Sequence, residues 1–247
     1  MRRVNLIPMA GVGQRFVDGG YDTPKPLIEV NGEPMVVQAA KSLPAADHWI
    51  FICREEHIQE HGIGDELKRH FPEAEIIPIG YLTAGQASTC LLAKNLLRPD
   101  DQLTIGACDN AMKYDQALFE LQISKADALI WTFRNNKAVL DNPSAYGWVE
   151  VDSNEKAIRV SCKKPISDYP LNDHAVIGAF SFRRAESFVL CVEKMIEKNR
   201  SINNEFYMDV AMDELIQLGF DVSIMEVLQY FCWGTPQDLE YKKSCKK

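Results

Sequence analysis

Two glycines and two cations follow the first apolar run of the chain. Gly11 and Gly13 come directly after it, Arg15 follows, and Lys25 lies ten residues further on. Glycine lets the backbone approach a ligand closely, and successive N–H groups in such a turn form a concavity that binds anions. The two side chains add the positive charge that a phosphate needs. This spacing predicts a turn that binds a polyphosphate.

Two better-known phosphate-binding turns do not fit this stretch. A Walker loop needs G-x-x-x-x-G-K-[ST], which is absent from the sequence. A dinucleotide fingerprint needs a third glycine where this chain has Phe16, and an acid after the second strand where it has Arg54. A nicotinamide-dependent dehydrogenase is therefore a poor alternative. A glycine-rich turn without any ligand is the other alternative, but Lys25 sits between two prolines, whose rings restrict the backbone around it.

Two further polar residues are expected at the same edge of the fold. Gln86 opens a helical pattern after the third predicted strand, and Asp109 ends the fourth. Ligands of open α/β sheets bind at the carboxyl ends of the strands. Glutamine carries the donor and the acceptor that can pair with a base edge, and Mg²⁺ takes one or two carboxylates beside substrate phosphates. A surface glutamine and a turn-forming Asp-Asn pair remain the simpler alternatives.

Strands and helices alternate through the first half of the chain. The apolar runs predict strands over 4–10, 49–53, 75–79 and 103–110, with helical patterns over 35–43, 55–70 and 83–97 between them. This order predicts an α/β fold with a parallel sheet. Further on, the patterns predict strands over 127–133, 175–182 and 222–227, a hairpin over 146–160, a helix over 184–200 and a helix ending at Gly219.

Two motifs near the N-terminus carry a resemblance to a known family. Gly11-x-Gly13-x-Arg15 and Pro24-Lys25-Pro26-Leu27 resemble the signature of nucleotidyltransferases that join a nucleoside triphosphate to a sugar 1-phosphate, such as glucose-1-phosphate thymidylyltransferases. Related cytidylyltransferases act on non-sugar phosphates. The resemblance implies a Rossmann-like α/β fold, a mixed and mostly parallel sheet with flanking helices. It also implies one domain over 1–247, with a nucleotide-binding half (1–134) and an acceptor-binding half (135–247).

The same resemblance assigns roles to individual residues. It makes Arg15 and Lys25 catalytic and gives Mg²⁺ as the cofactor, with Asp109 as its ligand. The nucleoside triphosphate, for which CTP or another pyrimidine is favoured, would contact Ala10, Gly11, Gly13, Gln86 and Asp109. The phosphorylated small-molecule acceptor would contact Asn110, Tyr146, Gly147, Lys163, Lys164, Gly178 and Glu205.

Two positions depart from the family pattern. Cys232 stands where the family has a second metal-binding aspartate, so either Asp109 acts with triphosphate oxygens and water, or Glu205 or Asp209 substitutes. Lys163 replaces an acid that binds sugar hydroxyls, which favours a more anionic acceptor: a charged sugar phosphate or a non-sugar phosphate. An inactive nucleotide-binding regulatory module is the alternative function.

The bulk composition limits the partners. The 247 residues carry a net charge of −8, which disfavours general binding to nucleic acid or to an anionic membrane. No apolar run approaches the roughly 20 residues of a membrane span. Seven cysteines without a C-x-x-C pair give no sign of a zinc site and favour a reduced, cytoplasmic protein. The sequence neither indicates nor excludes a homo-oligomer.

Overall fold

The structure is a computed structural model that describes residues 1–244. The strands are β1 (Arg3–Met9), β2 (Glu29–Val30), β3 (Glu33–Pro34), β4 (His48–Arg54), β5 (Glu75–Ile79), β6 (Gln102–Ile105), β7 (Asn110–Lys113), β8 (Ala128–Phe133), β9 (Gly147–Val151), β10 (Ala157–Cys162), β11 (His174–Phe182), β12 (Val222–Glu226) and β13 (Gln229–Cys232). The helices are α1 (Gln14–Asp18), α2 (Met35–Lys41), α3 (Glu55–His61), α4 (Ile63–His70), α5 (Gln86–Leu91), α6 (Gln116–Lys125), α7 (Ala138–Asp141), α8 (Ala185–Glu197), α9 (Met208–Gln217) and α10 (Pro236–Ser244).

Nine of these strands form one central sheet. Strands β5, β4, β1 and β6 are neighbours in that order and run parallel to one another. Strand β11 runs antiparallel to β6, β8 and β9, while β12 is parallel to β8 and β10 is antiparallel to β9. Only β10 and β11 therefore point against the other seven strands of this sheet. The predicted fold class, a mixed and mostly parallel sheet with flanking helices, is confirmed.

Both faces of the sheet are covered by helices. Along β1 the side chains alternate, as in any strand, so that Leu6 joins the cluster that contains Phe188 of α8. Ile7 joins the opposite cluster, which contains Val36 of α2 and Leu67 of α4. Strands buried on both faces read as continuous apolar runs, which is why the sequence revealed them. No helix within residues 1–244 combines the length and the hydropathy that crossing a bilayer would need.

Strand β11 changes its neighbour at Gly178. Ala175 pairs with β9, whereas Phe180 pairs with β6, and the register against β8 shifts between Val176 and Phe180. Gly178 has a φ of +82°, a conformation that favours glycine. Beside this break, the side-chain amide of Asn110 donates to the carbonyl oxygen of Ile177 at 2.8 Å. The segment that follows β6 is thus hydrogen-bonded to β11 at the bulge.

Two predicted boundaries are wrong. The fourth strand of the sequence prediction ends at Ile105 rather than at 110, because the chain passes close to another segment at Gly106. A Cβ there would lie 2.6 Å from Cδ1 of Leu43. The predicted helix over 83–97 is the shorter α5, which begins only at Gln86, and the hydroxyl of Thr83 donates to the carbonyl of Gly85 before it.

Candidate active site

The glycine-rich turn lies between β1 and α1, at the carboxyl edge of the sheet. Gly13 adopts a φ of +69°, and a Cβ at this position would lie 3.2 Å from Cβ of Lys25. A cavity of about 290 Å³ opens beside this contact. Five of the residues predicted from the sequence line it: Gly11, Gly13, Lys25, Gln86 and Asp109.

The side chain of Lys25 is held in this cavity by three contacts. Its ammonium group lies 2.5 Å from Oδ2 of Asp109 and 3.3 Å from the carbonyl oxygen of Gly234, to which it donates. The ring of Phe16 lies below it, with its centroid 5.4 Å from Nζ. Burial by itself lowers the pKa of Lys25, but the Asp109 carboxylate outweighs this and the pKa lies above its usual value. The cavity therefore holds a positively charged lysine.

Asp109 is joined to the second half of the chain through the backbone, since the N–H of Trp233 donates to its carbonyl oxygen at 2.9 Å. In the ribbon formed by β7 and β13, Cys232 lies opposite Asn110. Burial raises the pKa of the Cys232 thiol to about 11, so the thiol is neutral at pH 7. The Asp238 carboxylate accepts from the backbone N–H and the hydroxyl of Thr235, at 3.0 and 2.7 Å.

The side chains around Asp109 fit a magnesium ion held by one carboxylate. A neutral thiol is a poor ligand for a hard cation. Within residues 1–244, no group of three or more His, Cys, Asp or Glu side chains is arranged to hold a metal. Neither Glu205 nor Asp209, the two substitutes considered from the sequence, lines the cavity around Asp109. Asp109 therefore suits a Mg²⁺ that takes its other ligands from substrate phosphates and water.

The turn before Gln86 is held by the backbone of a distant segment. The N–H of Phe206 donates to the carbonyl of Ala84 at 2.7 Å, and the N–H of Ala87 donates to the carbonyl of Phe206 at 3.0 Å. Gly85 has a φ of +108°, and a Cβ there would lie 2.7 Å from the backbone nitrogen of Phe206. Only glycine allows this close approach, which fixes Gln86 at the start of α5 against the cavity.

Replacing Gly85 with alanine is expected to lower the free energy of unfolding by about 2 kcal/mol or more, the scale of a backbone clash added to left-handed strain. The matched control is Gly20→Ala, because Gly20 also has a positive φ (+78°) but no atom within 4 Å of its Cβ position. Urea unfolding measures both variants. Equal destabilisation of the two would contradict the clash with Phe206.

The predicted acceptor residues gather around the bulge in β11 and the start of β9. Asn110 lies beside Gly178, where a Cβ would be 4.0 Å from its amide nitrogen. The ring of Tyr146 packs edge-on against Phe133, and burial raises the pKa of Tyr146 to about 12. A Cβ at Gly147 would overlap the carboxyl group of Asp209. Burial raises the pKa of that carboxyl group to about 6.

The two lysines after β10 have different surroundings. Lys163 adopts a left-handed φ of +60°, and its N–H donates to the carbonyl of Tyr146 at 3.0 Å. Its ammonium group lies 4.6 Å from the centroid of the Tyr207 ring, and a hydrogen bond with the Tyr207 hydroxyl raises the pKa of Lys163. Burial, and after it a hydrogen bond with Glu205, raises the pKa of Tyr207. Lys164, in contrast, is exposed.

Some predicted residues lie outside the first cavity, and the structure adds others. Arg15 is exposed on α1, and neither it nor Ala10 lines the cavity. The carbonyl of Gly234 and the ring of Tyr207 are additions from the structure, whereas Asp209, considered from the sequence as a metal ligand, lies against Gly147 instead. The sequence held only one signal for the first of these, the resemblance of the segment around Gly234-Thr235-Pro236 to a family motif.

Comparison with known proteins gives a family and a fold. Residues 4–214 match the family model described as nucleotidyl transferase. No curated protein matches the chain. Among solved structures, the chain is similar to a nucleoside-diphosphate-sugar pyrophosphorylase from Vibrio cholerae RC9, with 20% identity, a TM-score of 0.77, and 98% of this chain and 100% of that one covered.

Two more solved structures share this fold. An inositol-1-phosphate CTP transferase from T. maritima has 13% identity and a TM-score of 0.73, with 100% of this chain and 97% of that one covered. A UDP-glucose pyrophosphorylase from Acinetobacter baumannii has 17% identity and a TM-score of 0.69, with 98% and 92% covered. At these identities the structural likeness concerns the fold alone.

Proposed function

The chain belongs to the nucleotidyl transferase family. From this premise we propose that it joins a nucleoside triphosphate to the phosphate of a small molecule and releases pyrophosphate. The favoured donor is CTP or another pyrimidine nucleoside triphosphate. One observation carries the proposal. Gly11, Gly13, Lys25, Gln86 and Asp109, which come from four separate parts of the chain, line one cavity of about 290 Å³. These are a backbone turn for phosphates, a cation, a base-reading amide and a carboxylate for a metal.

To catalyse this reaction, the protein has to position the two substrates and to stabilise negative charge on the phosphates. An oxygen of the acceptor phosphate attacks the α-phosphorus, a new P–O bond forms, and the bond to the β-phosphate oxygen breaks as pyrophosphate leaves. The attacking oxygen is already ionised near neutral pH, so no side chain has to remove a proton. Lys25, held by Asp109 and the Gly234 carbonyl, places its charge where negative charge develops. The turn at Gly11 and Gly13 offers backbone N–H groups to the phosphates.

Mg²⁺ is the proposed cofactor. When bound, it supplies charge neutralisation on the phosphate oxygens. Asp109 is the residue that would hold it, with no second carboxylate because position 232 is a cysteine. The carboxylate would then serve both the metal and Lys25.

The acceptor is proposed to carry its phosphate to the surroundings of Lys163. Lys163, Tyr207 and Glu205 are neighbours, and the N–H of Lys163 donates to the carbonyl of Tyr146, next to Gly147. Both a sugar 1-phosphate and a non-sugar phosphate fit this set of a cation, a phenol and a carboxylate. The inositol-1-phosphate CTP transferase from T. maritima, which shares this fold, combines the favoured donor with a cyclic alcohol phosphate.

The test is pyrophosphate release with Mg²⁺. Each nucleoside triphosphate is combined with a panel of sugar 1-phosphates and small non-sugar phosphates. Turnover with one pair identifies donor and acceptor together. A triphosphate that binds but is never turned over would favour the inactive binding module, for which the changes at Cys232 and Lys163 are the sequence arguments.

Replacing Cys232 with aspartate is expected to lower the Mg²⁺ concentration needed for half-maximal rate, because it adds a second carboxylate beside Asp109. The measurement is the rate of pyrophosphate release across a magnesium titration. Cys232→Asn is the matched control, since it has the same shape as aspartate but no charge. An unchanged titration in the aspartate variant would indicate that another carboxylate already serves the metal.

A further inference from the structure

A second cavity lies on the other side of the glycine-rich turn. It has a volume of about 150 Å³, about half that of the first. Gly13 and Lys25 line both cavities, so the contact between them is the wall that separates the two. None of the roles assigned above uses this second cavity, although any phosphate bound at the turn would lie next to it.

The far wall of the second cavity is formed by the end of β4 and by α3. It carries the guanidinium group of Arg54 and the imidazoles of His57 and His61. The side chain of Arg54 is 23% exposed and His57 is 7% exposed. The two imidazole rings meet edge to face, with their centroids 6.2 Å apart. Three nitrogen-bearing side chains thus surround a small space.

His57 is incompletely satisfied. Its Nδ1 atom is buried and has no hydrogen-bond partner within the described part of the chain. Buried polar atoms in native proteins are nearly always paired, so this atom is an exception, and it belongs to a residue that lines the cavity. Burial, and after it the charge of Arg54, lowers the pKa of His57. The free imidazole is therefore neutral at pH 7 and can act as a hydrogen-bond donor from one of its nitrogens.

Two acidic residues also line the cavity, and their negative charge reduces its positive electrostatic potential. Glu56 accepts from Arg54 at 2.9 Å, but its side chain is 54% exposed and can turn towards water. Asp22 lies on the opposite side with the hydroxyl of Thr23. A metal ion does not fit this cavity, because no suitable group of three or more ligating side chains exists within residues 1–244. A small anion that replaces Glu56 at the guanidinium does fit.

We propose that this second cavity binds a diphosphate group, with Arg54 as its main charge partner and His57 and His61 as hydrogen-bond donors. Arginine is well suited because its planar fork matches phosphate oxygens. The diphosphate would be the β- and γ-phosphates of the donor or the pyrophosphate after release, reaching across Gly13 and Lys25. The naming of this group rests on the proposed function, whereas the anion site itself stands on the cavity.

Isothermal titration of the full chain with inorganic pyrophosphate tests the site without any turnover. Arg54→Gln is expected to weaken pyrophosphate binding roughly tenfold, the scale of a hydrogen bond to a charged group. Glu56→Gln is expected to strengthen it, because it removes the competing carboxylate. Arg69→Gln is the matched control: Arg69 pairs with Glu66 on α4 and does not line the cavity. Binding that is unchanged in Arg54→Gln, or weakened in Glu56→Gln, would overturn the proposal.

A second titration separates the two sources of the diphosphate. If the nucleoside triphosphate loses affinity in Arg54→Gln in parallel with pyrophosphate, the cavity holds the β- and γ-phosphates of the donor. If only pyrophosphate loses affinity, the cavity holds the released product. A wild-type chain that turns over substrates but does not bind pyrophosphate would sink this inference and leave the proposed function standing. If no pair of substrates is turned over but Arg54→Gln weakens pyrophosphate binding, the proposed function is contradicted and the anion site is supported.

Discussion

Replacing Lys25 with alanine is expected to lower the rate of pyrophosphate release on the order of 100-fold or more, the scale seen when one preorganised donor to a developing negative charge is lost. The ammonium group of Lys25 is fixed by Asp109 and the Gly234 carbonyl, so its charge needs no rearrangement during the reaction. The measurement is single-turnover release of pyrophosphate with saturating substrates, which separates the chemical step from binding.

Two comparison variants distinguish this role from a general loss of charge. Lys94→Ala removes a lysine whose ion pair with Glu193 is about half exposed on both sides, and it is expected to leave the rate unchanged. Lys25→Arg keeps the charge but not the compact shape of the ammonium group, and it is expected to recover only part of the rate. Near wild-type turnover in Lys25→Ala, with the unfolding curve unchanged, would remove Lys25 from the chemistry.

The strands of the first half were predictable because they are buried on both faces. An apolar run that ends at polar or turn residues marks such a strand, and the predicted bounds of 75–79 agree with β5. The predicted helix over 55–70 is divided into α3 and α4 at Gly62, which takes the left-handed conformation (φ +63°). In these segments the local sequence and the final structure agree because no distant segment changes their course.

Distant contacts account for most of what the sequence analysis missed. The end of β6 depends on the close approach of Gly106 to Leu43, which are 63 positions apart in the chain. The ribbon of β7 and β13 pairs Asn110 with Cys232, and no local sequence pattern predicts a pairing between residues so far apart in the chain. The bulge at Gly178 exists because β11 has different partners at its two ends.

The same distinction applies to the candidate site. The residues around the glycine-rich turn were predictable as a group, because motif and fold together place them at one edge of the sheet. The family motif assigned the acceptor phosphate to Lys164 first and to Lys163 second. In the structure Lys164 is exposed, whereas the left-handed backbone at Lys163 turns its side chain onto Tyr207. The second cavity was not predicted, since it forms only where the glycine-rich turn lies beside the end of β4 and α3.

Replacing Asp109 with asparagine is expected to lower the rate of pyrophosphate release roughly 100-fold or more and to raise the Mg²⁺ concentration needed for half-maximal rate. The substitution keeps the shape of the side chain but removes the charge that both the metal and Lys25 use. Asp100→Asn is the control, because Asp100 is exposed and does not line the cavity. A magnesium titration of pyrophosphate release measures all variants.

A double-mutant cycle decides which of the two uses of Asp109 dominates, because neighbours in contact give non-additive effects. If Asp109 only positions Lys25, then Lys25→Ala/Asp109→Asn should be no slower than Lys25→Ala alone, and its magnesium titration should match that of Lys25→Ala. If Asp109 also holds the metal, the double variant should be slower still and should need more Mg²⁺ than Lys25→Ala. We expect the second result, because, within residues 1–244, Asp109 is the only residue with a carboxylate that lines the first cavity. A titration that is unchanged by Asp109→Asn would assign the metal to another residue.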